Sequence, residues 1–182
     1  MLKLALGQIS LKKKENKMRI SKKLADMMNA QFGNEMGAAM QYTQIAAYFD
    51  SRSLPKFAEF FYAQAAEEQL HAMKFLHYLL EIGADVNIPA IEAPVYGIAD
   101  TAASFQMSLD WENEVTEQIY AMMDVAVEER DYASQAFLQW FITEQVEETA
   151  SMETLLEVVK RVGEKNLFMI ESYLVREETP AA

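Results

Sequence analysis

Apolar and aromatic residues recur at intervals of three and four along most of this chain, a spacing that places them on one face of an α-helix. Near the start of the chain they include Leu24, Met28, Tyr42 and Phe49. The pattern predicts four long helices and one shorter amphipathic helix, at about residues 21–52, 55–82, 103–130, 132–162 and 165–176. The sequence therefore predicts an all-α fold.

Residue types at the predicted helix ends agree with these boundaries. Ser21 belongs to the favoured N-cap types, and Pro55 fits the first turn of the second helix. Gly83 follows the second helix and Gly163 follows the fourth, where glycine readily adopts the left-handed conformation that ends many helices. Asp131 marks a tight break between the third and fourth helices.

The lengths of the connections predict how the helices are arranged. Short breaks near residues 53 and 131 make helices one and two antiparallel, and likewise helices three and four. The long connection, at 83–101, contains Pro89, Pro94 and Gly97. A helix of about 28 residues is about 42 Å long, and roughly 19 extended residues span up to about 60 Å. We therefore predict a four-helix bundle with one long crossover and a short fifth C-terminal helix.

The two ends of the chain lie outside this pattern. Residues 1–17 are predicted to be an N-terminal extension of unknown role, followed by the helical domain at 18–177 and a tail at 178–182. Met18 is an alternative start, and a targeting element is a further alternative for the extension. Its apolar residues precede the basic run at 12–14, which is the wrong order for a secretory signal.

The chain carries a net charge of −12. This charge argues against non-specific binding of nucleic acid and suits cations as ligands or cargo. No apolar run approaches the about 20 residues that a membrane-spanning helix needs, so no membrane partner is expected. A cytoplasmic location is the default expectation.

Each predicted apolar face is interrupted near its middle by acidic residues. They are Glu35, Glu68, Glu112, and on the fourth helix Glu144 and Glu148. An unpaired carboxylate inside a protein is strongly unfavourable, and several at one level repel each other unless cations lie between them. This conflict predicts a site for two metal ions. The alternative is that the predicted helix phases are off by one residue, which would make these acids ordinary surface charges.

The second helix adds an imidazole to the predicted metal site. Glu68 and His71 are three residues apart, so both project from the same face of the helix. The pair alone arises easily by chance in a chain with 28 acidic residues, and its weight comes from the acids on the other helices. Because the chain has no cysteine, oxygen and imidazole ligands are expected, which suit iron, manganese or zinc better than copper(I).

Four stretches of the sequence resemble bacterial non-haem ferritins. They are Glu35 with Tyr42, the string AEEQLHAM at 66–73, Glu112 within DWENEV, and FLQWFITEQVEE at 137–148. The resemblance covers roughly residues 27–176, and the last string is quite specific. It implies the ferritin-like four-helix bundle. It also implies a hollow homo-oligomeric shell, a 24-mer, that oxidises Fe²⁺ and stores it as ferric mineral.

The resemblance further implies a ligand set for two iron ions. One iron would be held by Glu35, Glu68 and His71. The second would be held by Glu68 as a bridge, by Glu112 and, less directly, by Gln145.

A third iron site and a tyrosine complete the implied centre. The third site would use Glu67, Glu144, Glu147 and Glu148. Tyr42 corresponds to the tyrosine beside the di-iron centre of the family, as an electron donor or a hydrogen-bond partner. The alternative for Tyr42 is a packed aromatic residue with a satisfied hydroxyl group.

Two positions argue against related families. Bacterioferritins and rubrerythrin-like proteins place a second Glu-x-x-His on helix four, but residues 144–147 read Glu-Gln-Val-Glu. Bacterioferritins also ligate haem through the methionine after the bridging glutamate, where this chain has Gln69, so no haem is expected. Its 12 methionines are better explained as core packing.

The resemblance favours an iron-storage ferroxidase that uses O₂ or H₂O₂ as the oxidant. One alternative is a shell-forming storage subunit without fast ferroxidase activity, although such a subunit would be expected to lack some ligands. Another alternative is a di-iron oxidase or peroxidase of the same bundle type, for which the second histidine on helix four would be usual.

Overall fold

A computed structural model of the chain describes residues 20–177, which form a helical bundle. Its helices are α1 (Lys22–Asp50), α2 (Pro55–Glu81), α3 (Thr101–Glu128), α4 (Tyr132–Val162) and α5 (Leu167–Glu177), with a 3-10 turn at Glu164–Asn166. The predicted all-α bundle with one long crossover and a fifth helix is confirmed. The predicted extension at 1–17 and tail at 178–182 lie outside the described residues. None of the described helices has the length and apolar character to cross a membrane.

Local capping explains where the helices begin and end. The Ser21 hydroxyl accepts a hydrogen bond from the backbone N–H of Leu24 at 3.1 Å, as expected for an N-cap. Gly83 follows α2 with a φ of +76°, a left-handed conformation that costs glycine little.

The predicted start of the third helix, near residue 103, was two residues late. Helix α3 begins at Thr101 because the Asp100 carboxylate caps it, accepting from the backbone N–H of Ala103 at 2.7 Å. The carboxylate of Glu164 also accepts from the N–H of Thr101 at 2.8 Å. Glu164 lies 63 residues further along the chain than Thr101, so no local sequence pattern predicts this second contact.

The bundle interior has two apolar cores separated by a polar layer. One core contains the packed rings of Phe49, Phe57, Phe61 and Phe105. The other contains residues from the opposite ends of the same helices, among them Phe75 and Phe141. On each of the four long helices, buried polar residues lie between the segments that enter the two cores; they are Glu35, Glu68, His71, Glu112, Gln145 and Glu148.

The crossover at residues 83–100 is held along α1 by two buried amide side chains. Asn29 donates to the carbonyl of Asp85 at 3.0 Å and accepts from the N–H of Asn87 at 2.6 Å. Further along α1, Gln41 donates to the carbonyl of Val95 at 3.0 Å and accepts from its N–H at 2.7 Å. The crossover therefore follows α1, a path that its length allows but does not by itself specify.

We expect Gly33→Ala to lower the melting temperature. A methyl group at Gly33 would overlap the Pro89 ring of the crossover, and overpacking of this kind costs about 1–3 kcal/mol. The gain of about 1 kcal/mol that alanine brings to a helix interior offsets part of that cost. Gly37→Ala is the matched control, because its methyl group would meet Trp111 at 3.4 Å, an ordinary contact. Thermal unfolding of both variants checks the prediction, which equal melting temperatures would contradict.

Candidate metal centre

The polar layer brings carboxylates from all four long helices to one place. Glu35 comes from α1, Glu68 from α2, Glu112 from α3 and Glu148 from α4, and each is buried. His71 lies beside Glu68, with its Nδ1 atom 3.2 Å from Glu68 Oε2. The predicted convergence of acids on the Glu68/His71 pair is therefore seen in the structure.

Three overlapping groups of ligand atoms form within this layer. The first consists of Glu35, Glu68 and His71; the second of Glu68, Glu112 and Glu148; the third of Glu67, His71 and Glu148. Within each group the ligand atoms lie within 4.8 Å of one another, a spacing that one metal ion can bridge. Glu68 belongs to the first two groups, so its carboxylate lies between two candidate metal positions.

Two carboxylate oxygens in the layer have no hydrogen-bond partner. They are Oε2 of Glu35 and Oε1 of Glu148, both buried. Glu148 Oε1 lies 3.7 Å from His71 Nδ1, which is too far for a good hydrogen bond. A buried polar atom without a partner is unfavourable, and coordination of a cation would satisfy both oxygens.

Burial raises the pKa of each of these four carboxyl groups above its usual value near 4.5. Repulsion from neighbouring carboxylates adds to the rise for Glu35, Glu68 and Glu148, and the pKa of Glu148 reaches about 10. Hydrogen bonds from Tyr42 and Gln145 oppose the rise in the pKa of Glu112. Without a metal ion the cluster therefore holds protons near neutral pH, which a bound cation would displace.

Comparison with known proteins agrees with this geometry. Residues 25–162 match the ferritin family, described as the ferritin-like domain. The chain belongs to the ferritin family. The resemblance predicted from the sequence is thereby confirmed, and iron storage is the function of that family.

Two bacterial ferritins are close relatives over most of their length. The chain is 41% identical to ferritin BfrB of Mycolicibacterium smegmatis over 155 residues, or 85% of each chain. It is 38% identical to the bacterial non-heme ferritin of Staphylococcus aureus over 157 residues, or 85% of this chain and 95% of the relative. Among solved structures, an open pore ferritin from Archaeoglobus fulgidus superposes with a TM-score of 0.83 at 34% identity, covering 86% of this chain and 97% of the other.

In this ferritin chain Gln145 contacts the carboxylates through its amide nitrogen. Its Nε2 donates to Glu112 Oε2 at 3.4 Å and, through a shorter contact, to Glu148. Its Oε1 accepts from the Thr116 hydroxyl at 2.8 Å. An amide nitrogen has no free lone pair for a metal ion, so in this orientation Gln145 holds the ligands. Its predicted, less direct contact with the second iron stays a prediction.

The structure separates the four residues predicted for a third iron site. Glu67 and Glu148 join a ligand group with His71, and Gln64 donates to Glu67 at 3.0 Å. Glu144 is half-buried and Glu147 is exposed, and neither belongs to a ligand group among the described residues. Glu148 also belongs to the group around Glu68 and Glu112. The four-residue third site stays a prediction.

Three further residues contact the ligands of the centre, and two of them were not among the predicted site residues. Tyr42 is fully buried and its hydroxyl donates to Glu112; this contact fits both the predicted role at the centre and the alternative of a packed ring with a satisfied hydroxyl, so the role stays a prediction. The ring of Trp140, which was not among the predicted site residues, lies edge-on to His71 with centroids 5.4 Å apart. Gln31, which the sequence analysis missed, donates to Glu35 at 3.0 Å. Its position four residues before Glu35, on the same face of α1, was the available signal.

Proposed function

We propose that this ferritin chain is a ferroxidase that binds two Fe²⁺ ions in the polar layer, oxidises them and passes the ferric iron to storage. The observation that carries the proposal is the position of Glu68, whose carboxylate belongs to two adjacent ligand groups. One ion would lie among Glu35, Glu68 and His71. The other would lie among Glu68, Glu112 and Glu148, so that Glu68 bridges the pair.

The energetics of the polar layer support a role in binding cations. Four buried carboxyls with raised pKa values and two unpartnered oxygens destabilise the bundle, since ionised groups in an apolar interior are costly. Cations offset that cost. Carboxylate and imidazole ligands suit ferrous and ferric iron. Among the metals that such ligands accept, membership of the ferritin family favours iron.

The chemistry requires two electrons from two ferrous ions. Each Fe²⁺ gives one electron to O₂, which takes up two protons and becomes H₂O₂. With H₂O₂ as the oxidant, the same two electrons and two protons give water. Protons displaced from the carboxyls when Fe²⁺ binds are available for this step. The Tyr42 hydroxyl, which donates to Glu112, would keep that carboxylate oriented toward the second iron position.

The third ligand group supports a position through which iron leaves the pair. It shares His71 and Glu148 with the first two groups and adds Glu67, which is only half-buried. An ion moving from the buried pair to Glu67 would therefore approach solvent. Glu144 and Glu147, one turn or less from Glu148 on α4, would complete this exit site.

Exposed apolar side chains support assembly into a homo-oligomeric shell, proposed to be a 24-mer. On α5, Phe168 is 64% exposed and Met169 is 56% exposed. On the crossover, Ile88, Val95 and Tyr96 are also exposed. Apolar residues grouped in this way usually mark contacts between proteins, and copies of this chain are the partner that the family suggests.

Aerobic oxidation of Fe²⁺ by the purified protein tests the proposal, together with its mass in solution. We expect rapid formation of ferric iron at two Fe²⁺ per chain, in a particle of the mass of a multi-subunit shell. A shell that binds iron but oxidises it no faster than buffer would show a storage subunit without ferroxidase activity. A particle of one or two chains would instead favour a di-iron oxidase or peroxidase. Either result would contradict the proposed function.

A further inference from the structure

A second buried glutamine contacts the candidate centre from α1. The Gln31 side chain is only 1% exposed, although an uncharged amide inside a protein core is costly unless it is hydrogen-bonded. Its Nε2 donates to Oε1 of Glu35 at 3.0 Å. The other oxygen of that carboxylate, Oε2, is buried without a partner. One oxygen of Glu35 is therefore held by an amide, and the other remains available as a ligand.

Gln31 is itself fixed by a chain of amide groups that crosses from α1 to α3. Asn34 Nδ2 donates to Gln31 Oε1 at 3.3 Å and to Gln118 Oε1 at 2.9 Å. Gln118 in turn donates to Glu114 Oε1 at 3.1 Å. The chain thus leads from the buried Glu35 to an exposed carboxylate on α3. A side chain anchored in this way has few alternative orientations.

We propose that Gln31 is a positioning residue that makes Glu35 a one-oxygen ligand, with Oε1 held by the amide and Oε2 directed at the metal ion. The proposal rests on the proposed function of the layer as a site for two ions. It also gives the chain of amides a role: Asn34 holds Gln31 in place, and Gln118 in turn holds Asn34. Partners that orient metal ligands in this way affect metal affinity without touching the ion.

The proposal predicts an effect confined to one of the two metal positions. Glu35 belongs only to the ligand group with Glu68 and His71. Without the amide, the Glu35 carboxylate is free to rotate and loses its fixed geometry. Metal affinity should therefore fall at that position and stay the same at the position between Glu112 and Glu148.

Anaerobic titration with Co²⁺ tests this prediction, because Co²⁺ is not oxidised in the absence of O₂ and its visible absorption reports coordination. The wild-type protein should bind two Co²⁺ per chain. In Gln31→Leu, affinity at one position should fall by about 10- to 100-fold. In Fe²⁺ oxidation, the Fe²⁺ concentration for half-maximal rate should rise more than the maximal rate falls. Gln41→Leu is the matched control, because Gln41 is a buried glutamine on the same helix that holds the crossover.

Equal Co²⁺ affinities in Gln31→Leu and Gln41→Leu would overturn the positioning role. If Gln31→Leu does not fold, Asn34→Ala replaces it, since it removes the anchor of Gln31 at a half-buried position. A loss at the same single position would support the proposal, and unchanged affinity would overturn it. Failure of the proposed function would give a different result. The wild-type protein would bind no Co²⁺, or Glu68→Ala would bind Co²⁺ as tightly as the wild type does. Either result would show that the two-ion site itself is absent.

Discussion

Glu68→Ala is expected to lower the rate of aerobic Fe²⁺ oxidation by more than about 100-fold while the bundle stays folded. Loss of a group that only orients a ligand costs about 10- to 100-fold, and Glu68 is a proposed ligand of both ions. Removal of its carboxylate takes one ligand from each of two adjacent groups. Stopped-flow absorbance of ferric iron measures the effect. His71→Ala should also abolish rapid oxidation, because it removes the imidazole ligand.

The fold of the variant should survive because Glu68 does not stabilise the metal-free protein. Its carboxyl is buried and burial raises its pKa well above the usual value, so its ionised form is unfavourable in the folded state. Glu81→Ala is the control on the same helix, since Glu81 is exposed. Circular dichroism should show the same helix content in both variants. Oxidation at the wild-type rate by Glu68→Ala and His71→Ala would refute the proposed centre.

The fold was predictable because its determinants are local. Apolar residues recur at helical spacing, and the pattern is interrupted at Pro55, Gly83, Asp131 and Gly163. These features define the number of helices and the lengths of the connections. The length of the crossover then decides that α2 and α3 run parallel. The start of α3 was predicted two residues late although its local signal, the Asp100 N-cap, is present in the sequence; only the second contact, from Glu164, comes from a distant part of the chain.

The width of each buried face was predicted less well. Helical spacing from Glu68 and Phe75 would place Gln64 and Tyr78 of α2 on the buried face, but both are only half-buried. Small residues such as Ala65 and Ala72 are buried on this helix instead. The same occurs on α3, where Ser104 and Ser108 are buried and donate to backbone carbonyls of their own helix. The spacing of large apolar residues does not predict which small residues are buried.

Part of the candidate site could likewise be predicted from residue types and spacing along the chain, and part could not. The acids on four helices and the Glu68/His71 spacing predicted that a cluster forms and which helices supply it. The side-chain rotamers could not be predicted from the sequence pattern. They place Glu148 against Glu68 and Glu112 as well as Glu67, and they turn the amide nitrogen of Gln145 toward the carboxylates. Gln31 was missed because a neutral amide on a helix face resembles an ordinary surface residue.

Glu148→Gln is expected to stabilise the metal-free protein and to remove most of the stabilisation that metal ions give. Burial and the neighbouring carboxylates raise the pKa of Glu148 from near 4.5 to about 10. At pH 8 the folded protein therefore keeps a proton on Glu148 that the unfolded chain releases, which lowers the stability of the folded state. Replacement of the carboxyl by a neutral amide of the same shape should recover about 1–3 kcal/mol. For a chain of this size each kcal/mol corresponds to roughly 2–4 °C in melting temperature.

The sign of the pH dependence follows from the raised pKa. Because the folded protein holds the Glu148 proton more tightly than the unfolded chain does, stability falls as pH rises from about 4.5 toward 10. At pH 5 the unfolded chain is only beginning to release this proton, so the variant should gain little. The gain should grow through pH 8 and beyond, because the folded protein keeps a proton that the unfolded chain has lost. The melting temperature of the wild-type protein should therefore fall more steeply with pH than that of the variant.

Redox-inert Zn²⁺ separates this electrostatic effect from ordinary packing. Zn²⁺ should raise the melting temperature of the wild-type protein at pH 8, since a ligand that binds only the folded state stabilises it. In Glu148→Gln the increase should be smaller, because the group with Glu68 and Glu112 loses a carboxylate. Glu147→Gln is the matched control: the same change one residue earlier, at an exposed position, should leave the metal-free melting temperature unchanged. A metal-free Glu148→Gln protein that melts below the wild type at pH 8 would show that this carboxylate stabilises the bundle, contrary to the burial argument.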